Sequence, residues 1–205
     1  MRVTMNGYAL AVEDGGHGTP LLLLHGLPMS SAIFSPIRAM VERAGRLVTV
    51  DLRGFGASDA PQGPYEMESL ADDVVRVADH LGLERFVLGG HSMGGYVAFR
   101  VAARHRRRLS GLILIDTRAA ADTPEGAGRR RAAVAAIHGG GRGAFLDTFL
   151  PLLVGPAARD RRPELMEQLR SIAARIPDHV LTGCLEGMAT RPDSRDLLAG
   201  LDLPT

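Results

Sequence analysis

One serine stands where the sequence could present a reactive hydroxyl. Ser92 is the central residue of the stretch GHSMG, which follows the apolar run 86–88 and precedes a segment with helical spacing. A glycine–x–serine–x–glycine pattern between a strand and a helix is typical of a sharp turn that strains the serine backbone and exposes its hydroxyl. Such a hydroxyl can attack a carbonyl carbon. The alternative is a glycine-rich turn with an incidental serine, but the flanking strand and helix favour the nucleophile.

Two backbone N–H groups are candidates to stabilise the oxyanion that this attack would create. The first belongs to Met93, the residue after Ser92, and the second is expected in the loop after an earlier strand. The apolar stretch PLLLL is followed by HGLP, and we assign the second donor to Leu27 because Pro28 has no N–H. His25 is predicted to be buried, to bond to backbone groups and to shape this loop.

Apolar runs and amphipathic segments alternate over the first 120 residues. RVTM and YALAVE flank Asn6-Gly7 and predict a hairpin, and four runs predict strands buried on both faces, namely PLLLLHG, RLVTVDLRG, RFVLGG and LSGLILIDT. The spacing of Leu70, Val74 and Val77 predicts a helix that Gly82 ends. Strands alternating with helices indicate an α/β fold, a mostly parallel sheet with helices on both faces.

The pattern changes after about residue 122. The next segments favour helices, and no apolar strand lies among them; these segments are 125–138, 142–153, 163–175 and 178–189. We therefore predict an α/β core over 1–122, a helical cap over 123–196, and the start of a return to the core over 197–205.

Four stretches together resemble one family. In order, LLLLHGLP, VDLRGFGASD, GGHSMGG and GLILIDT are similar to the α/β-hydrolase fold superfamily, in its esterase-like branch with a helical cap. The resemblance covers essentially the whole chain and implies a serine hydrolase of a small carboxylic ester, lactone or related acyl compound. Ser92 would be the nucleophile, and Leu27 and Met93 would form the oxyanion hole. Asp51 and Arg53 are expected to brace the loop beside the site. A serine at this turn argues against haloalkane dehalogenases and epoxide hydrolases, which attack with an aspartate.

The resemblance also implies a catalytic acid and a histidine base, and both are expected beyond Thr205. In the superfamily they follow the two strands after the cap, whereas 201–205 is similar to the lead-in to the first of those strands. We therefore expect a truncated sequence with weak or no activity and with GLILID as an exposed sheet edge. Asp116 is the alternative acid within the chain. His138 and His179 could face the pocket but are interpreted as surface residues, so no base is identifiable.

The composition limits which binding partners and which cellular location we expect for this chain. The net charge of +1 provides no field that would attract nucleic acid or an anionic membrane. The first residues are not expected to form a secretory signal, no apolar run approaches the roughly 18 residues of a membrane span, and Cys184 is the single cysteine. We expect a cytoplasmic protein with a small-molecule acyl substrate, without cofactor or metal; a homo-oligomer is left open. A non-catalytic binding protein is the rival class, and an aminopeptidase, an acyltransferase or a cofactor-free perhydrolase would share the same turn.

Overall fold

A six-stranded sheet forms the centre of the chain. The computed structural model describes residues 1–5 and 7–205. Its strands are β1 (Arg2–Met5), β2 (Tyr8–Gly15), β3 (Pro20–Leu24), β4 (Arg46–Val50), β5 (Phe86–His91) and β6 (Leu109–Ile115). Their order is β1-β2-β4-β3-β5-β6; β2 runs antiparallel to both of its neighbours, and the other pairs are parallel. The hairpin of β1 and β2 is as predicted. In its turn, Gly7 has a φ of +88°, and Asn6 lies outside the described residues.

Nine helices are found in the described residues. They are α1 (Ser35–Ala44), α2 (Met67–His80), α3 (Met93–His105), α4 (Pro124–His138), α5 (Arg142–Phe149), α6 (Pro156–Arg161), α7 (Glu164–Ala174), α8 (Asp178–Ala189) and α9 (Arg195–Ala199). The predicted helix over 142–153 is divided into α5 and a 3-10 turn over Leu150–Leu153, since Pro151 cannot donate the bond that would continue α5. The sequence did not predict α6. No strand follows β6 in the part of the chain that is described.

The central strands bury side chains on both faces of the sheet. In β3, Leu22 and Leu24 pack into the larger core cluster with residues of α2 and α3. Leu23 points the other way and packs with Phe34 and, beside it, Val41 of α1. Successive strand residues face opposite sides, so a strand covered on both faces needs an uninterrupted apolar run. This is why PLLLL does not alternate.

The β6 strand lies at one edge of the sheet. The Leu112 N–H donates to the carbonyl of Pro204 at 2.9 Å, so the last residues of the chain pass along this edge. Ile113 and Ile115 are 40% and 37% exposed. The apolar edge that the sequence predicted for GLILID is therefore present.

None of the described helices combines the length and the apolar character that a membrane crossing requires.

Candidate active site

Ser92 lies at the turn between β5 and α3. Its φ of 52° and ψ of −115° are rare for a residue with a side chain and cost on the order of 1–3 kcal/mol. Backbone hydrogen bonds hold this conformation: the Ser92 N–H donates to the Ile115 carbonyl at 2.9 Å, and the Ser92 carbonyl accepts from the Gly95 N–H at 2.9 Å and the Thr117 hydroxyl at 2.8 Å. The neighbouring strand thus fixes the serine, whose side chain is partly exposed.

The two outer glycines of GHSMG are required by close backbone approach. A Cβ on Gly90 would come within 2.6 Å of the Gly95 nitrogen, a distance that real Cβ atoms do not reach. A Cβ on Gly94 would come within 2.7 Å of the His25 carbonyl oxygen. The first turn of α3 therefore packs directly against its own strand and against the loop that follows β3.

That loop is organised by His25. The ring is fully buried, and its Nε2 accepts a hydrogen bond from the Leu52 N–H at 3.1 Å. The proton must then be on Nδ1, which donates to the Gly26 carbonyl at 3.0 Å. The prediction that His25 shapes the loop through backbone bonds is confirmed.

Both proposed oxyanion donors are at this junction. Gly26 lies so close to the turn that a Cβ on it would be 2.9 Å from the Cβ of Ser92. Met93 is the first residue of α3, where N–H groups have no intrahelical acceptor. Among the described residues, no acceptor is hydrogen-bonded to the N–H of Leu27 or Met93. Both residues are buried, and their amides keep their donors unused within the described residues.

Asp51 braces the same loop from β4. Its two carboxylate oxygens accept from the Ser31 N–H at 2.7 Å and the Ala57 N–H at 2.9 Å, so one side chain joins the loops after β3 and β4. Arg53 acts one step further away, since its guanidinium pairs with Asp73 of α2 at 2.6 Å. Of the two expected braces, Asp51 contacts the loop after β3, and Arg53 ties the loop after β4 to α2.

The remaining titratable candidates do not contact the Ser92 hydroxyl. Asp116 follows β6 with φ 44° and is exposed. His138 is exposed and His179 partly buried, and both line a separate cavity beside Tyr65. Across the described residues, no histidine or carboxylate is hydrogen-bonded to the Ser92 hydroxyl. The same residues contain no group of three or more potential metal ligands.

Burial governs the protonation of the histidine in the loop. It lowers the pKa of His25 below the ordinary value, while the Gly26 carbonyl and the Asp51 carboxylate act in the opposite direction. Burial likewise lowers the pKa of His91. A protonated His25 would lose the bond from Leu52, because Nε2 could no longer accept it. The loop therefore depends on a neutral ring.

We predict that stability falls as the pH decreases below about 6.5. The unfolded chain binds a proton at His25 near its ordinary pKa of about 6.5, whereas the folded chain does so only at lower pH. Stability is therefore complete above that pH and decreases by up to about 1.4 kcal/mol per unit below it. Urea unfolding between pH 7.5 and 5.5 would measure this slope. His25→Gln should reduce it, and His17→Gln, which changes an exposed ring, should not; equal slopes in all three proteins would contradict the argument.

Besides the cavity beside Tyr65, two further cavities lie between the core loops and the helices over 124–189. The first, the apolar cavity, has a volume of about 620 Å³. Its apolar lining comes from the loop after β3 and from residues near α7, namely Met29, Ile33, Leu153, Leu165, Leu169 and Ile172. Met29, two residues after Leu27, lies on this wall.

The second cavity, the arginine cavity, has a volume of about 280 Å³. Its lining combines charged residues from the segment after β6 and from α4 with aromatic residues of α5, namely Arg118, Asp122, Arg129, Arg130, Phe145 and Phe149. Arg118 was not among the site residues predicted from the sequence. Its position directly after GLILIDT was the available signal, because residues at the carboxyl end of a parallel strand line ligand sites in such sheets.

Comparison with known proteins gives consistent relatives. A family model described as "alpha/beta hydrolase fold" matches residues 19–185. The AB hydrolase superfamily protein YisY of Bacillus subtilis is 43% identical over 116 residues, which are 56% of this chain and 43% of that protein, so less than half of that relative is matched. A malate-bound thermophilic esterase from Thermogutta terrifontis is 40% identical with a TM-score of 0.93, over 100% of this chain and 78% of that one. An enol-lactonase from Burkholderia xenovorans is 26% identical with a TM-score of 0.89, again over 100% and 78%.

Proposed function

Because the chain belongs to the α/β-hydrolase fold family, we propose that it is a serine hydrolase of a small carboxylic ester, lactone or related acyl substrate. The observation that carries this proposal is the Ser92 backbone, held at φ 52° beside two amides that no described residue uses. A strained serine next to paired N–H donors suits attack on a carbonyl. A metal or cofactor is not needed for this step.

The reaction follows from that geometry. The Ser92 oxygen bonds to the carbonyl carbon, its proton passes to the histidine base that is expected beyond Thr205, and the carbonyl oxygen becomes an oxyanion that accepts from the Leu27 and Met93 N–H groups. The C–O bond to the alcohol breaks, and the alcohol leaves with the proton. Water then repeats the attack on the acyl–serine bond and releases the acid. Each oxyanion donor contributes about 3–4 kcal/mol to the transition state.

The substrate class draws support from the cavities and from the similar structures. The apolar cavity begins at Met29, two residues after Leu27, and suits an apolar acyl or alcohol group. The two similar structures are an esterase and an enol-lactonase, and both names denote cleavage of an acyl C–O bond. The malate in the esterase is a small dicarboxylate.

A non-catalytic binding protein is the second candidate. It is favoured by the absence of a hydrogen bond between the Ser92 hydroxyl and any described base. It is opposed by the strain at Ser92, because a binding protein gains nothing from holding a serine at positive φ. The two candidates differ in whether Ser92 forms a covalent bond.

Covalent labelling tests the proposal. A fluorophosphonate forms a stable phosphonyl ester with an activated serine, and digestion followed by mass spectrometry locates it. In a form that extends past Thr205 and includes the expected base, we expect the adduct on Ser92, with Ser58, whose hydroxyl donates to the Asp51 carbonyl, left unmodified in the same sample. Protein unfolded in urea is the control and should remain unlabelled. A folded form that extends past Thr205 and still gives no adduct on Ser92 would contradict the hydrolase and favour the binding protein.

A further inference from the structure

One wall residue of the arginine cavity, Arg118, directly follows a residue that contacts the nucleophile turn. The Thr117 hydroxyl donates to the Ser92 carbonyl, and Arg118 is the next residue along the chain. From there the cavity extends over the first turn of α4 to the side chains of α5 and α8. A ligand whose carbonyl lies at Ser92 could therefore place its far end among these residues.

Positive charge is in excess on the cavity wall. Three arginines and one aspartate line it. The aspartate is already neutralised, since Asp122 pairs with Arg130 at 2.5 Å and with Arg191 at 2.7 Å. Although burial acts against it, these bonds hold the pKa of Asp122 below its ordinary value. Asp122 thus remains ionised and fully paired, and its charge does not compensate the other arginines.

Arg118 and Arg129 form no such ion pair, although Glu125, four residues before Arg129 on α4, is influenced by it: a backbone bond, the Thr123 hydroxyl and then the Arg129 charge lower the pKa of Glu125. No carboxylate of the described residues lies within 4 Å of either guanidinium. Each guanidinium has five N–H donors in a planar fork that matches the geometry of a carboxylate. Two unpaired forks on one concave wall form a site for an anion with at least one planar, bidentate acceptor.

The rest of the wall limits the size and character of that anion. Phe145 and Phe149 stack with ring centres 5.3 Å apart, and Ala133 and Leu185 extend the apolar surface. A volume of about 280 Å³ is at the lower end of the roughly 300–1,000 Å³ of ligand pockets. The occupant is therefore short, with an apolar segment against the rings and a charge toward the arginines.

We propose that the arginine cavity binds a free carboxylate of the substrate, so that the preferred substrates are monoesters or lactones of short dicarboxylic acids. This inference rests on the proposed function. In it, Arg118 and Arg129 bind the distal carboxylate, while the ester carbonyl lies at Ser92. The arginines then determine specificity and take no part in bond cleavage.

The test measures carboxylate binding without requiring turnover. Calorimetric titration of the full chain with succinate, at low ionic strength, is compared with its neutral counterpart succinamide. We expect succinate to bind at least about tenfold more tightly, since hydrogen bonds to charged groups are the stronger ones. Raising the salt concentration should weaken succinate binding and leave succinamide unchanged.

Matched variants assign the effect to the cavity. The double variant Arg118→Gln/Arg129→Gln should lose about tenfold in succinate affinity, and Arg118→Lys, which keeps the charge without the fork, should lose less. Arg43→Gln removes an equally exposed charge at the end of α1, outside the cavity, and should change the affinity by less than about twofold. Thermal unfolding of each variant verifies that it is folded.

The outcomes separate this inference from the hydrolase proposal. Labelling of Ser92 together with equal binding of succinate and succinamide would overturn carboxylate recognition and leave the hydrolase intact. Equal losses in the cavity variants and in Arg43→Gln would also overturn it, because the effect would then be one of net charge. Arginine-dependent succinate binding without labelling of Ser92 would support the anion site and contradict the acyl substrate.

Discussion

In a form of the chain that extends past Thr205 and supplies the expected base, replacing Ser92 by alanine is expected to lower kcat/KM for a small neutral ester, such as p-nitrophenyl acetate, by at least about 10³-fold. The oxyanion donors and the cavities remain in that variant, but no atom can form the acyl bond, and removing a catalytic serine elsewhere costs on the order of 10⁶ in turnover. Initial rates with purified wild-type and Ser92→Ala protein measure the difference. A rate that survives the substitution would assign the chemistry to another group.

The same position offers a control that separates chemistry from folding. Glycine adopts a φ near 52° without the steric cost that a Cβ brings, whereas alanine retains that cost. Ser92→Gly should therefore be about 1 kcal/mol more stable than Ser92→Ala and equally inactive. Urea unfolding compares the two. If the glycine variant is the less stable, the turn does not store strain, and the geometric argument for Ser92 as nucleophile loses its basis.

Much of this fold could be predicted because local signals agree with one another. The strand PLLLL is apolar at every position because both of its faces are covered, and that pattern is visible in the sequence. The turn at Ser92 is likewise encoded locally, since Gly90 and Gly94 are small where backbones meet. In both cases the residues that must be apolar or small are close together in the chain, so a short stretch of sequence shows the pattern.

The cavities could not be predicted for the opposite reason. Arg118 lines the same cavity as Arg129 and Phe149 only because α4 and α5 fold next to it. The positions of these residues in the chain show no periodicity from which this arrangement could be predicted. Asp122 appears in the sequence as one more acidic residue. Its pairing with Arg130 and Arg191, which leaves the wall positively charged, depends on the packing of α8 against α4.

A buried ion pair supports the loop that carries the site. The Arg53 side chain is 6% exposed and pairs at 2.6 Å with Asp73, which is fully buried in α2. The guanidinium also donates to the Pro64 carbonyl at 3.0 Å and to the Tyr8 hydroxyl at 2.7 Å, and Tyr8 in turn donates to Asp73. Burial, and then the bond to Asp73, raise the pKa of Tyr8 to about 12. The phenol therefore remains a neutral donor throughout the ordinary pH range.

Asp73→Ala is expected to destabilise the chain by about 3–5 kcal/mol, because it leaves the Arg53 charge buried without its partner. Asp79→Ala is the matched control on the same helix: its pair with Arg108 leaves the Asp79 side chain 57% exposed, and exposed pairs contribute less than about 1 kcal/mol. Urea unfolding at pH 7 compares both with the wild type.

The stability lost in Asp73→Ala has two possible causes, the missing ion pair and the buried, unpaired charge of Arg53. A double variant separates them. Arg53→Met/Asp73→Leu removes both charges and keeps apolar volume, so it should recover most of the stability lost in Asp73→Ala. The loop after β4 would then lose its link to α2 and keep its other bonds, including those of Asp51 to Ser31 and Ala57. Recovered stability with a reduced rate of Ser92 labelling would show that Arg53 positions the site through that loop. A double variant as unstable as Asp73→Ala would instead mean that the pair stabilises the fold directly.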